Sequence, residues 1–113
     1  MLKNGAQDNP LAFIKKCLTE RKIVWTYHIH MRLAERSIAR DEILKSIGTM
    51  EALEEYLENR HLPSYLLYAT SGNKVFHMVV AVDVPDDNIR IITAYEPDPG
   101  EWNESLKKRR KRR

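Results

Sequence analysis

Cysteine is almost missing from this chain: a single Cys17 stands among 113 residues. That excludes an internal disulfide framework and reads as a reduced thiol on a helix. Other absences narrow the chemistry. There is no Cys pair, no HExxH, no Gly-rich phosphate loop, no nucleophile elbow and no pair of catalytic carboxylates at recognisable spacing. No apolar run is long enough to cross a bilayer, so no membrane contact is expected. Met1 to Pro10 is polar and lacks the apolar stretch of a secretory signal, which makes the cytoplasm the expected compartment.

What is present suits one small globular domain. The hydrophobic fraction is 42%, enough for a core and too high for a disordered chain. The net charge of +3 hides an asymmetry, because Lys107 to Arg113 (KKRRKRR) holds seven of the 19 basic residues. The rest carries 12 basic against 16 acidic residues, a net of −4. Such a tail suits polyanions through counterion release. The plainer expectation is a domain over residues 1–106 followed by a solvated, disordered end at 107–113.

Helices come first. Asn9-Pro10 looks like a helix start, followed by Leu11, Ile14, Cys17 and Leu18 at helical spacing. Ile23 to Trp25 is a short β-favouring link, and Thr26 can cap a helix over Tyr27 to Arg36. After a break at Ser37 to Arg40, Asp41 and Glu42 open a third helix, with Ile43, Leu44 and Ile47 as its apolar face and Gly48 as its end. Glu51 to Asn59 fits a helix or a strand. Tyr65 to Thr70, Val75 to Val82 and Ile89 to Tyr95 are strands, separated by turns at Ser71-Gly72-Asn73 and Pro85-Asp86-Asp87-Asn88. Helices ahead of an antiparallel meander make an α+β fold.

Two features carry chemistry. His28, Arg32 and Arg36 are spaced i, i+4, i+8, so a helix lines them along one side beside Ile29 and Leu33. Two guanidinium groups on adjacent turns can hold a phosphate; the plainer reading is a solvated face paired with nearby glutamates. His77 interrupts Val75 to Val80, where an apolar residue would be cheaper. Alternation puts it on the face of Val75 and Val79, opposite Phe76, Met78 and Val80. A lone histidine in such a strand is more often a hydrogen-bonded structural residue than a catalyst. The two signals gain force if the helix packs on the sheet and brings His28 and Arg32 to His77. Two imidazoles and arginines are the parts needed for metal-free RNA cleavage, with Tyr95 as a further donor. His28-x-His30 cannot readily chelate from a helix, because residues two apart diverge, so no metal or other cofactor is expected. Asp83, Asp86 and Asp87 read as turn formers.

The pattern H-x3-R-L-x2-R-S-I over His28 to Ile38 resembles a widespread bacterial family, the domain of unknown function numbered 4258. The likeness continues through Tyr56, Leu62-Pro63-Ser64-Tyr65-Leu66, Val75 to Val80, Ile91 to Asp98 and Trp102, or about residues 25–102. The resemblance implies a RelE-like fold of the barnase–colicin–RelE group, with helices packed on a four-stranded antiparallel sheet and Glu51 to Asn59 as the fourth strand. It further implies an endoribonuclease toxin of a toxin–antitoxin system, acting on RNA such as ribosome-associated mRNA and paired with an antitoxin, often of zinc-finger type. The family's polar positions fall on His28, Arg32, Arg36, His77 and Tyr95. On that footing His28, His77 and Tyr95 are the expected catalytic residues, and Arg32 and Arg36 the expected phosphate-binding ones. A non-catalytic RNA-binding or protein-interaction module of the same fold is the alternative. Ser37 stands where the family usually has glycine, which implies a less sharply turned helix end. Apolar strand surface and Trp102 suggest a contact with an antitoxin or a second copy.

Overall fold

The computed structural model describes residues 9–57 and 62–110. Helix α1 spans Pro10–Thr19, and the Asn9 side chain accepts the Ala12 N–H at 3.0 Å, as the Asn-Pro start predicts. Helix α2 spans Tyr27–Glu35, with Thr26 accepting the Ile29 N–H. It ends through Ser37, whose φ of 56° is left-handed. The N–H of Ile38 reaches the Leu33 carbonyl and that of Ser37 the Ala34 carbonyl, while Leu33 and Ile38 are buried together. The expected blunt end is therefore corrected: serine adopts the conformation a glycine would. Helix α3 is short, Arg40–Lys45, opened by Glu42 accepting the Ala39 N–H. It stops before the expected Gly48, and a 3-10 turn takes Ile47–Thr49.

The strands are β1 Ile23–Val24, β2 Glu51–Tyr56, β3 Ser64–Ser71, β4 Lys74–Asp83 and β5 Asn88–Tyr95. Among the described residues they form one five-stranded sheet in the order β1-β5-β4-β3-β2. The expectation of four antiparallel strands is thus corrected. The Ile23–Val24 link joins as an edge strand parallel to β5, with Ile23 opposite Ile89. Glu51 to Tyr56 is a strand as expected, and Asn59 lies outside the described residues.

The helices cover one face of this sheet, the inner face. Ile14, Leu18, Ile29, Leu33 and Ile43 meet Leu67, Phe76, Met78, Val80 and Ile91 in a single buried cluster. Successive strand residues point to opposite faces, so His77, Val79 and Ala81 belong to the outer face. Around His77 that face is covered too, so β4 is buried on both sides there. Its cover is the chain after β5. Trp102 bridges Arg109, Asn103 N–H reaches the Lys108 carbonyl, and Arg110 N–H reaches the Glu101 carbonyl. Of the basic tail, Lys107 and Arg109 bind Glu51 and Glu54 of β2, Lys108 to Arg110 are exposed, and residues 111–113 lie outside the described residues. Among the described residues no helix is long and apolar enough to cross a membrane.

Candidate active site

His77 is the centre of the outer face. It stands directly between Tyr68 on β3 and Tyr95 on β5, its cross-strand partners. The imidazole lies 6.2 Å from the Tyr68 ring and 5.9 Å from the Tyr95 ring. Trp102 closes over it edge-on, with centroids 4.5 Å apart and planes at 89°. His77 is 0% exposed. Its Nε2 lies 2.7 Å from the Leu106 carbonyl. A carbonyl only accepts, so Nε2 carries the hydrogen and Nδ1 holds a bare lone pair. That Nδ1 is buried and has no hydrogen-bond partner among the described residues. Burial pushes the pKa of His77 below its usual value, partly offset by the Leu106 bond. The ring is therefore neutral near pH 7. Burial also raises the pKa of Tyr95, so its phenol keeps its proton.

Charges surround this cluster of rings. In β2, pairing shifts by one residue between Ala52 and Glu54, so Leu53 is a bulge. Glu51 sits opposite Tyr68 and Glu54 opposite Leu66, which puts both glutamates on the outer face although they are three residues apart. Glu54 accepts Arg109 Nε at 2.7 Å and Nη2 at 3.2 Å, and also the Tyr56 hydroxyl. Arg109 is the main reason the Glu54 pKa falls, whereas burial and then Glu54 push Tyr56 up to about 12. The Arg109 guanidinium also lies over the Trp102 ring at 4.6 Å. Lys107 binds Glu51 at 2.8 Å and lies over the Tyr68 ring at 4.7 Å.

The predicted residues divide. His77 and Tyr95 come together. Arg36, at the end of α2, donates through Nη1 to the Thr93 hydroxyl at 3.0 Å and the Ala94 carbonyl at 2.9 Å. It thereby flanks the strand end that carries Tyr95. His28 is exposed and Arg32 half-buried on α2, whose buried face is Ile29 and Leu33 on the inner side. The sheet thus stands between that helix and His77, and the structure does not bring His28 or Arg32 to it. Trp102, expected to offer a contact to another chain, is 2% exposed and used internally.

Sequence reasoning missed Glu54, Lys107 and Arg109 as members of this face. A signal existed, since Lys107 and Arg109 are two apart and share a side in an extended segment. Their targets were hidden, because alternation cannot foresee a bulge. Among the described residues no three of His, Cys, Asp and Glu converge as a metal-holding group.

No curated protein and no solved structure matches this chain. A family profile described as "Domain of unknown function (DUF4258)" matches residues 25–96. The match takes in His28, Arg32, Arg36, His77 and Tyr95 and stops short of the segment that covers His77. On that match, which spans more than half of its length, the chain belongs to the DUF4258 family.

Proposed function

We propose that this chain is a metal-independent endoribonuclease of the toxin type, with a RelE-like arrangement of helices and sheet. It acts on RNA in the bacterial cytoplasm, and an antitoxin protein of zinc-finger type restrains it. The observation that carries the reading is the pairing of a neutral imidazole, His77, with a protonated phenol, Tyr95, as cross-strand neighbours.

The chemistry follows from those two groups. Neutral His77 takes the proton of a ribose 2′-OH, and the 2′-oxygen then attacks the adjacent phosphorus. The P–O5′ bond breaks, and the leaving 5′-oxygen receives a proton from Tyr95. The products are a 2′,3′-cyclic phosphate and a free 5′-hydroxyl. Arg36 sits beside the strand end of Tyr95 and is the nearest of the predicted arginines for the charge that builds on phosphorus. His28 and Arg32, on the far side, hold flanking RNA rather than the bond that breaks. His77 is enclosed in the form described, so cleavage requires the Trp102–Arg110 segment to move.

The same enclosure favours a second reading. A histidine with no exposed surface and a bonded Nε2 is also what a structural residue looks like, and the domain would then bind RNA without cutting it.

One assay separates the two: RNA incubated in excess chelator with the wild type, His77→Gln, Tyr95→Phe and His28→Ala. His77→Gln keeps a donor for the Leu106 carbonyl. Cleavage should persist in chelator, leave cyclic phosphate ends, and fall by about 10²–10⁴ in His77→Gln, the usual span for acid–base catalysis. His28→Ala should raise KM more than it lowers kcat. RNA binding with no cleavage at any enzyme concentration would sink the nuclease reading in favour of the second.

A further inference from the structure

The segment Trp102–Arg110 has the makings of a removable cover. Its interior bonds are its own: Asn103 N–H to the Lys108 carbonyl, Leu106 N–H to the Asn103 carbonyl, and Ser105 Oγ to Asn103. It can therefore leave the sheet as a unit without breaking a strand ladder. What ties it down is the buried Trp102 ring, the His77–Leu106 bond and two ion pairs. Lys107 is held by Glu51 and Arg109 by Glu54, in pairs whose side chains are 37% and 51%, and 53% and 27%, exposed. Water and salt reach both pairs. What it covers is the His77 ring, under Trp102 and the Leu106 carbonyl.

The cations that close the cover are also those a phosphodiester backbone would engage. They belong to the run Lys107 to Arg113, seven basic residues in sequence. In the closed form, Glu51 and Glu54 occupy two of them, at positions the Leu53 bulge turns to one face. The acidic strand is thus an internal stand-in for a polyanion. We propose that Trp102–Arg110 is a clasp that RNA opens, by drawing Lys107 and Arg109 away from Glu51 and Glu54 and so uncovering the outer face around His77. The choice of RNA as the polyanion rests on the reading given above; the opening itself does not require that RNA be cut.

Trp102 reports the state of the clasp directly. In a Trp25→Phe background its fluorescence and its quenching by acrylamide are read while poly(U) is added to the full chain. Quenching should rise on addition of poly(U), together with a red shift. Two double variants give the diagnostic contrast. Glu51→Gln/Glu54→Gln should open the clasp without RNA and tighten poly(U) binding several-fold, because the internal competitor is gone. Lys107→Gln/Arg109→Gln should also open it, but weaken poly(U) binding several-fold. Circular dichroism on each variant checks that the sheet persists.

Binding of poly(U) with Trp102 still shielded would overturn the proposal. So would weakened binding in both double variants, or opening by polyglutamate as readily as by poly(U). Cleavage followed in the same samples keeps the two ideas apart. Opening without any cleavage removes the nuclease and leaves the clasp; cleavage with Trp102 unmoved does the reverse.

Discussion

Replacing Ser37 by glycine should stabilise the protein, and the size of the effect can be worked from the end of α2. Ser37 has φ 56°, where the Cβ of an L-residue crowds its own backbone. That conformation costs an L-residue roughly 1–2 kcal/mol. Glycine removes the crowding but loses more chain entropy on folding, about 0.4–1 kcal/mol. The Ser37 side chain is exposed, and its backbone carbonyl, which accepts Lys74 Nζ at 2.9 Å, survives the change. The net gain should be about 0.5–1 kcal/mol, or roughly 2–6 °C in Tm for a domain near 100 residues. Urea midpoints and thermal scans of wild type, Ser37→Gly and Ser37→Ala give the test. Alanine keeps the crowding and should gain nothing. If Ser37→Gly is no more stable than wild type, or if alanine matches it, the left-handed end of α2 is not strained and the reasoning fails. A firmer end should also hold Arg36, the preceding residue, more steadily against Thr93 and Ala94.

Two further outcomes follow from charge. His77 has a folded pKa below the ordinary histidine value of 6.5, so between the two pKa values the unfolded chain binds more protons. Stability should therefore be intact above about pH 6.5 and decline as pH falls toward the folded pKa, no more steeply than about 1.4 kcal/mol per pH unit. A pH-independent gap between wild type and His77→Gln in urea titrations would refute that. Asp87, held by Lys16 and Lys22, has its pKa lowered to about 2 and ties the β4–β5 turn to α1. Its contribution is present above the ordinary value of 3.8 and fades as pH falls toward 2. Asp87→Asn, which tolerates the local φ of 54°, should lower Tm at pH 7. In 1 M salt that gap should shrink, because the pairs are exposed; a gap unchanged by salt would count against the ion-pair origin.

The helix starts were legible because their signals are local. Asn9 and Thr26 each cap with their own side chain, and no distant residue has to cooperate. The β4 run and the face of His77 were legible for a similar reason, since alternation needs only the strand itself. What alternation could not say is which side the helices take. The more apolar set of Phe76, Met78 and Val80 receives α1 and α2, so His77 points away from them and the expected meeting with His28 does not occur. β1 was hidden because two residues show no period, and its partner lies 66 positions away, at Ile89. The ion pairs of the tail were not legible because a charge run looks solvated until its counter-charges are known. Those are Glu51 and Glu54, aligned by a bulge that leaves no mark in the sequence.

The two covers of the sheet differ in kind, and that difference bears on function. The inner one is apolar and continuous, and removing it amounts to unfolding. The outer one rests on aromatic edges, one histidine bond and half-exposed ion pairs, and the ion pairs can be weakened by salt or a competing anion. Segments held in this way open locally at a free energy well below that of global unfolding. A chain that needed the outer face only for stability would gain more from an aliphatic cover, since a buried imidazole with an unpartnered Nδ1 costs free energy that a leucine would not. Retaining His77 there, under a cover that charge can release, is what a face built to be uncovered would require. His77→Leu therefore offers a last discrimination. It should leave the protein at least as stable as wild type while abolishing the proposed cleavage. A large loss of stability would instead make the histidine part of the scaffold.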